Sequence, residues 1–147
     1  MTYSSASSRS PPSTGLVSVS SDGQQGDLAS SGPFLSTDAR YVAFASDATN
    51  LVPGDSNAWS DVFLHDRWTG RTWRVSTDLL GNESNEWSGV PSISADGRFV
   101  AFRSGASNLV PGDTNGVGDV FIAYGPATLL ADGFESGDLS AWSSVVP

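Results

Sequence analysis

Two stretches of this chain repeat oxygen-bearing side chains at a spacing that could hold a cation. Residues 55–61 and 113–119 both read Asp-x-Asn-x-x-x-Asp. Asp55, Asn57 and Asp61, and again Asp113, Asn115 and Asp119, set oxygen ligands at alternate positions with one more at the seventh, which suits calcium. No Glu stands at the twelfth position, so the string is not an EF-hand loop. The same residues have a plainer reading, in which Asp and Asn side chains cap their own loop backbone as Asx turns. A second group lies upstream of two expected strands: Asp22 and Asp27 in one region, and Asn82, Glu83, Asn85 and Glu86 in the other. Carboxylates brought close raise one another's pKa or recruit a cation. In that reading Asp27 and Asn85 are ligands, and Glu83 and Glu86 are ligands or general bases. Otherwise these side chains point into solvent.

His65 is the only imidazole of the chain. Three copies around an axis would make a zinc site with an open position, so zinc is the alternative to calcium. Its place at the end of a strand beside Asp66 favours instead a surface His. No Gly-x-Ser-x-Gly elbow accompanies it, so Ser-His-Asp catalysis has no support. Trp59 and Trp87 sit in loops where an exposed ring can stack on a sugar or an apolar ligand, and Trp87 would form a substrate wall beside Glu83 and Glu86. Trp68 and Trp73 flank an expected hairpin and read as a cross-strand packing pair.

Composition narrows the classes further. The 147 residues carry a net charge of -9, no Cys and seven basic residues, all Arg. Without Lys there is no Schiff-base chemistry and no Walker-type phosphate loop. Without Cys there are no thiol nucleophiles, Cys-zinc sites or disulfides. An acidic surface does not suit nucleic acid or an anionic membrane, both of which need a positive footprint. No run reaches the ~20 apolar residues of a membrane span, and no apolar segment of signal-peptide type follows Met1.

The elements that must position these side chains are strands. Acidic residues are 13 Asp against three Glu, and with 16 Gly and eight Pro they indicate many turns. Helical spacing of apolar residues is missing over any useful length. Sliding the chain by 58 residues aligns 17–64 with 75–122 at 23 identities in 48 positions, without a gap. Asn50-Leu51-Val52-Pro53-Gly54-Asp55 repeats as Asn108-Leu109-Val110-Pro111-Gly112-Asp113, and Asp61-Val62-Phe63 as Asp119-Val120-Phe121. Each unit reads as short strands: 33–36, 40–46, 61–65 and 71–76 in the first, and 91–94, 98–104 and 118–124 in the second. A fourth strand is missing downstream of the second unit. A segment matching it, 16–20, stands in front of the first.

Four antiparallel strands per unit make a propeller blade. The motif Pro-x-x-Ser-x-Asp-Gly-x-aromatic-Val-Ala-Phe at 91–102, and more loosely at 33–44, resembles the WD40-like PD40 repeats of TolB-type β-propellers. The Asn-Leu-Val-Pro-Gly-Asp-x-Asn loop is similar to the long-loop variety found in secreted bacterial proteins, and the resemblance covers about 17–124. Ala39 departs from it where a turn Gly is usual. The resemblance implies a six-bladed toroid, commonly a binding or scaffold module, and a parent that is secreted or periplasmic. Two blades do not close a ring. The expectation is therefore an all-β chain of two blades that assembles with itself, as a trimer of six blades or else a dimer of four. The segment at 16–20 would complete a blade within the chain or on a neighbour.

The domain reading is a Ser-rich leader at 1–15, the two blades at 16–125, and a tail at 126–147 that resembles the start of a further module. Two functions follow as expectations. One is an oligomeric binding or scaffold ring, cation-binding through the loops named above, with room for a small-molecule ligand. The other is a metal-dependent hydrolase of phosphoesters or lactones at the channel mouth, an analogy from fold.

Overall fold

The computed structural model describes residues 11–126, so most of the leader and nearly all of the tail lie outside the described residues. Seven strands form two antiparallel sheets: β1 (Ser30–Leu35), β2 (Tyr41–Ser46), β3 (Asp61–Asp66) and β4 (Thr72–Arg74) in the first, and β5 (Ser88–Ile93), β6 (Phe99–Ser104) and β7 (Asp119–Tyr124) in the second. Strand order follows chain order in both. The all-β expectation holds. Both units begin their first strand three residues earlier than expected, and β4 covers only part of 71–76.

The repeated Ser-x-Asp-x-Arg motif explains the tight β1–β2 and β5–β6 turns. Asp38 accepts the Ser36 hydroxyl at 2.8 Å and the Arg40 N–H at 3.0 Å, while Ser36 Oγ accepts the Tyr41 N–H at 3.0 Å. Asp96, Ser94, Arg98 and Phe99 make the same three bonds. Such side chains take over backbone groups that no ladder reaches. A register shift also repeats, between Ser31 and Phe34 and between Gly89 and Ser92. Inside it stand Gly32 at φ 63° and Val90 at φ 51°, matched positions of which only Gly adopts this backbone without strain.

Strand alternation divides β3 between two cores. Val62 and Leu64 point toward the second sheet and join Tyr41, Ala43, Val75, Val100, Phe102, Ala106 and Leu109. Phe63, of opposite parity, packs with Phe44, Ala48 and Leu51 on the other face. Period-two alternation requires this split. Sheet-to-sheet hydrogen bonds seal the junction, from Thr37 N–H to the Ala95 carbonyl at 2.8 Å and from Ser88 N–H to the Ser60 carbonyl at 2.7 Å.

The second sheet stops at β7, with no fourth strand among the described residues. Residues 16–20 do not fill the gap. They form no strand of their own chain and contribute a single bridge, Val19 to Gln25. The expectation that this segment completes a blade within the chain is thus corrected. Thr72 holds the segment instead on the first sheet, donating through Oγ1 to the Val19 carbonyl at 2.6 Å and through N–H to Ser21 Oγ at 3.0 Å.

Candidate functional site

The 55–61 loop folds over the end of β3 onto Arg74, the last residue of β4. Arg74 Nη1 lies 3.1 Å from Glu83 Oε1, 3.5 Å from Asp55 Oδ1 and 3.8 Å from Asp61 Oδ2. Three carboxylates therefore surround one guanidinium, and the Arg74, Asp55 and Asp61 side chains are almost fully enclosed. Asp61 Oδ1 is further braced by the hydroxyls of Ser76 at 2.8 Å and Ser84 at 3.1 Å, and by the Asn57 amide at 3.3 Å. Glu83 reaches across to Ser56, accepting its N–H and its hydroxyl, the latter at 2.6 Å.

Charge does not balance in this cluster, and the carboxyls divide accordingly. Burial, then the neighbouring charge of Asp61, pushes Asp55 up to about 6 against the pull of Arg74. Burial also raises Asp61, although Ser76 and Arg74 oppose it. Burial works on Glu83 in the same sense, but Ser56 and Arg74 outweigh it and hold Glu83 below its usual range. The cluster is an internal ion network that retains a proton into mildly acidic solution.

The matched loop of the second unit carries no such network. Asn115 donates to both oxygens of Asp119, at 3.1 and 3.0 Å, and its own oxygen accepts the Val117 N–H at 3.1 Å. Asp113 Oδ2 is enclosed with no hydrogen-bond partner. A shallow groove of about 550 Å³ opens beside Asp113, Asn115 and Asp119.

The donor sets do not fit a divalent cation as they stand. In the first loop the Arg74 guanidinium sits among the carboxylates that would have to bind the ion. In both loops Asn57 and Asn115 present amide nitrogen, not oxygen, to the Asp at position seven. Trp59 and Val117 N–H groups bond the Asn oxygens, which is the Asx-turn arrangement. Among the described residues, no group of three or more His, Asp or Glu is arranged to hold a metal.

The second candidate group is dispersed into loop braces. Asp27 accepts the Thr49 N–H and hydroxyl, and Asn85 accepts the matched Ser107 N–H while donating to its hydroxyl. The backbone N–H groups of Asp27 and Asn85 donate to Asn50 and Asn108. Those two Asn in turn donate to the carbonyls of Gln25 and Glu83. This brace accounts for the repeated Asn-Leu-Val-Pro-Gly-Asp motif without any ligand. Glu86 stands against Gly105, where a side chain would collide with its carboxylate, and Trp87 lies under Arg103 at 5.6 Å.

His65 is not on the surface. It is buried at the opposite end of β3 from Asp61, with Nδ1 2.8 Å from Thr72 Oγ1, and burial keeps its pKa below the ordinary value. Trp68 and Trp73 do not stack on each other. Arg40 lies over Trp68 at 4.6 Å and Arg71 over Trp73 at 5.2 Å. Arg40 also forks onto Asp66, at 3.0 and 2.8 Å. Burial alone would raise Asp66, but this guanidinium and the Trp68 N–H bring it down to about 2.

Sequence reasoning missed Arg74, Ser76 and Ser84. The usable signal was a charge without a match: position 74 falls between units, and the segment aligned to it from the front of the chain carries Leu16. Comparison with family models and with curated proteins finds no match for this chain. No helix among the described residues is long and apolar enough to cross a membrane.

Proposed function

We propose that this chain is a subunit of an oligomeric β-propeller of the TolB-like PD40 kind and acts as a binding or scaffold ring. Each chain contributes two blades, and three chains make six. A four-bladed dimer is the smaller closure.

One observation carries the reading. Val62 and Leu64 are 0% exposed beneath the second sheet, whereas the matched Val120 and Ile122 are 72% and 64% exposed. Leu35, on the face of the first sheet turned away from the second, is 58% exposed, while its match Ile93 packs into the junction. Val120 and Ile122 at one end and Leu35 at the other are thus exposed where their matches meet across the junction of the chain's own sheets. A head-to-tail contact of this kind closes into a ring when its rotation permits.

Assembly-coupled folding predicts a melting temperature that rises with protein concentration. A melt independent of concentration over a hundredfold range would count against it. The hydrolase reading draws no support from the site, since Glu83, Asp27 and Asn85 are engaged in bracing loops. An activated phosphotriester or lactone assayed with and without chelator is expected to give no chelator-sensitive turnover.

A further inference from the structure

We propose that residues 14–18 of a second copy form the missing fourth strand of the β5–β6–β7 sheet, paired in register with β7. This rests on the ring reading above and names the contact that closes it.

The register comes from the first unit. There β3 pairs with β4 as Phe63 to Arg74, Leu64 to Trp73 and His65 to Thr72. Just beyond, Val75 N–H donates to the Val62 carbonyl at 2.8 Å, and Val62 N–H donates to Ser76 Oγ at 3.1 Å. Moved by one repeat, these pairs become Phe121 to Leu16, Ile122 to Gly15 and Ala123 to Thr14. Val17 N–H then donates to the Val120 carbonyl, and Val120 N–H to Ser18 Oγ. The Ser18 hydroxyl reaches Asp119 as Ser76 reaches Asp61. Val17-Ser18 is identical to Val75-Ser76, the two residues these last bonds use.

The receiving slot is present. A groove of about 520 Å³ lies beside β7, lined among others by Trp73, Leu79, Leu109, Pro111, Phe121 and Tyr124. An open strand edge with apolar walls is a template for another chain's strand. The chain's own segment cannot serve. It leaves from the face of the first sheet where Thr72 holds Val19 and Ser21, opposite the face that Val62 and Leu64 turn toward the second sheet. The first sheet stands between that segment and its own β7. Leu16, 57% exposed in one copy, becomes covered on the next.

The chain has no Cys, so a pair introduced by substitution reports unambiguously. His65 and Thr72 touch across their pair, which makes the matched Ala123 and Thr14 suitable positions. Under mild oxidation Thr14→Cys with Ala123→Cys should shift the denatured protein from one-chain to reducible two- and three-chain bands. Gly15→Cys with Ala123→Cys, whose first side chain points to the other face, should leave mostly one-chain bands. A trimeric native mass with both thiols free would overturn the strand exchange and leave the ring standing. A disulfide within one chain would also overturn it. A one-chain native mass without crosslinks would remove both the ring and this inference. As a second variant, Val17→Asp should abolish assembly while the β-sheet circular dichroism persists, and an intact oligomer of Val17→Asp would contradict the proposal.

Discussion

The two sheets are built from matched sequences, and among the described residues the second lacks the fourth strand that the first has. In the first, β4 brings Arg74 into a cage of carboxylates, sets Ser76 on Asp61, and lets Val75 close the core. In the second, Asp119 keeps its Asn115 donor, but among the described residues neither Asp113 nor Asp119 meets a counterpart of Arg74 or Ser76, and Val120 and Ile122 face outward. Both loops keep the Asp, Asn and Asp of the Asp-x-Asn-x-x-x-Asp string, so these three side chains alone do not make the site. The outer strand does. Similar loops make an Asx turn alone or an ion network as well, depending on what the neighbouring strand delivers.

The comparison can be broken most severely at Arg74. Arg74→Ala leaves Asp55 and Asp61 enclosed, and Glu83 beside them, without their counter-charge, and removal of one partner from a buried ion network costs about 3–5 kcal/mol. Urea denaturation should register this loss, and unchanged stability would mean that the cluster does not hold the first unit together.

Asp55→Asn tests the charge imbalance from the opposite direction. The folded-state pKa of about 6 lies above the ordinary 3.8, so the folded chain holds an extra proton between those values. Stability from the neutral carboxyl is full below 3.8 and lost as pH rises through 6. At pH 7 the Asn variant should therefore gain about 1 kcal/mol, allowing for screening by Arg74. Its stability should also lose the slope between pH 4 and 6. A destabilised variant with the slope intact would show that Asp55 is ionised throughout.

Backbone differences between the repeats sharpen the comparison at smaller scale. Val90 holds φ 51° where the first unit has Gly32, so Val90→Gly should stabilise by about 1 kcal/mol through relief of strain. The turn shows the reverse exchange, with Ala39 at φ 59° and Gly97 at φ 76°. Ala39→Gly should gain about 0.5 kcal/mol, because the left-handed backbone penalises Ala by slightly more than Gly loses in chain entropy. Thermal melts at one fixed concentration would rank the two, and a loss of stability in either variant would deny that strain.

Local chemistry made much of the fold legible. The Ser-x-Asp-x-Arg turn acts within a few residues and lies where the sequence places it, and the 58-residue offset matches the strands of one sheet to those of the other. The site was less legible because it depends on side chains brought in from other strands. Asp55 and Glu83 are 28 positions apart, and only the β3–β4 pairing sets Arg74 between them. His65 read as a surface residue because a lone His beside Asp suggests solvent. It is buried because Thr72, on the next strand, satisfies its ring. Asp27 and Asn85 look like ligands from composition, yet they occupy matched positions and brace matched backbones, so the repeat itself held the better clue.

The central claim is that the uncovered half of this chain is completed by another copy. Sedimentation equilibrium of the full chain across a wide dilution series weighs it most directly. The account predicts a particle of three chain masses, 15.3 kDa each, dissociating only when very dilute. A compact, stably folded particle of one chain mass at every concentration would contradict it.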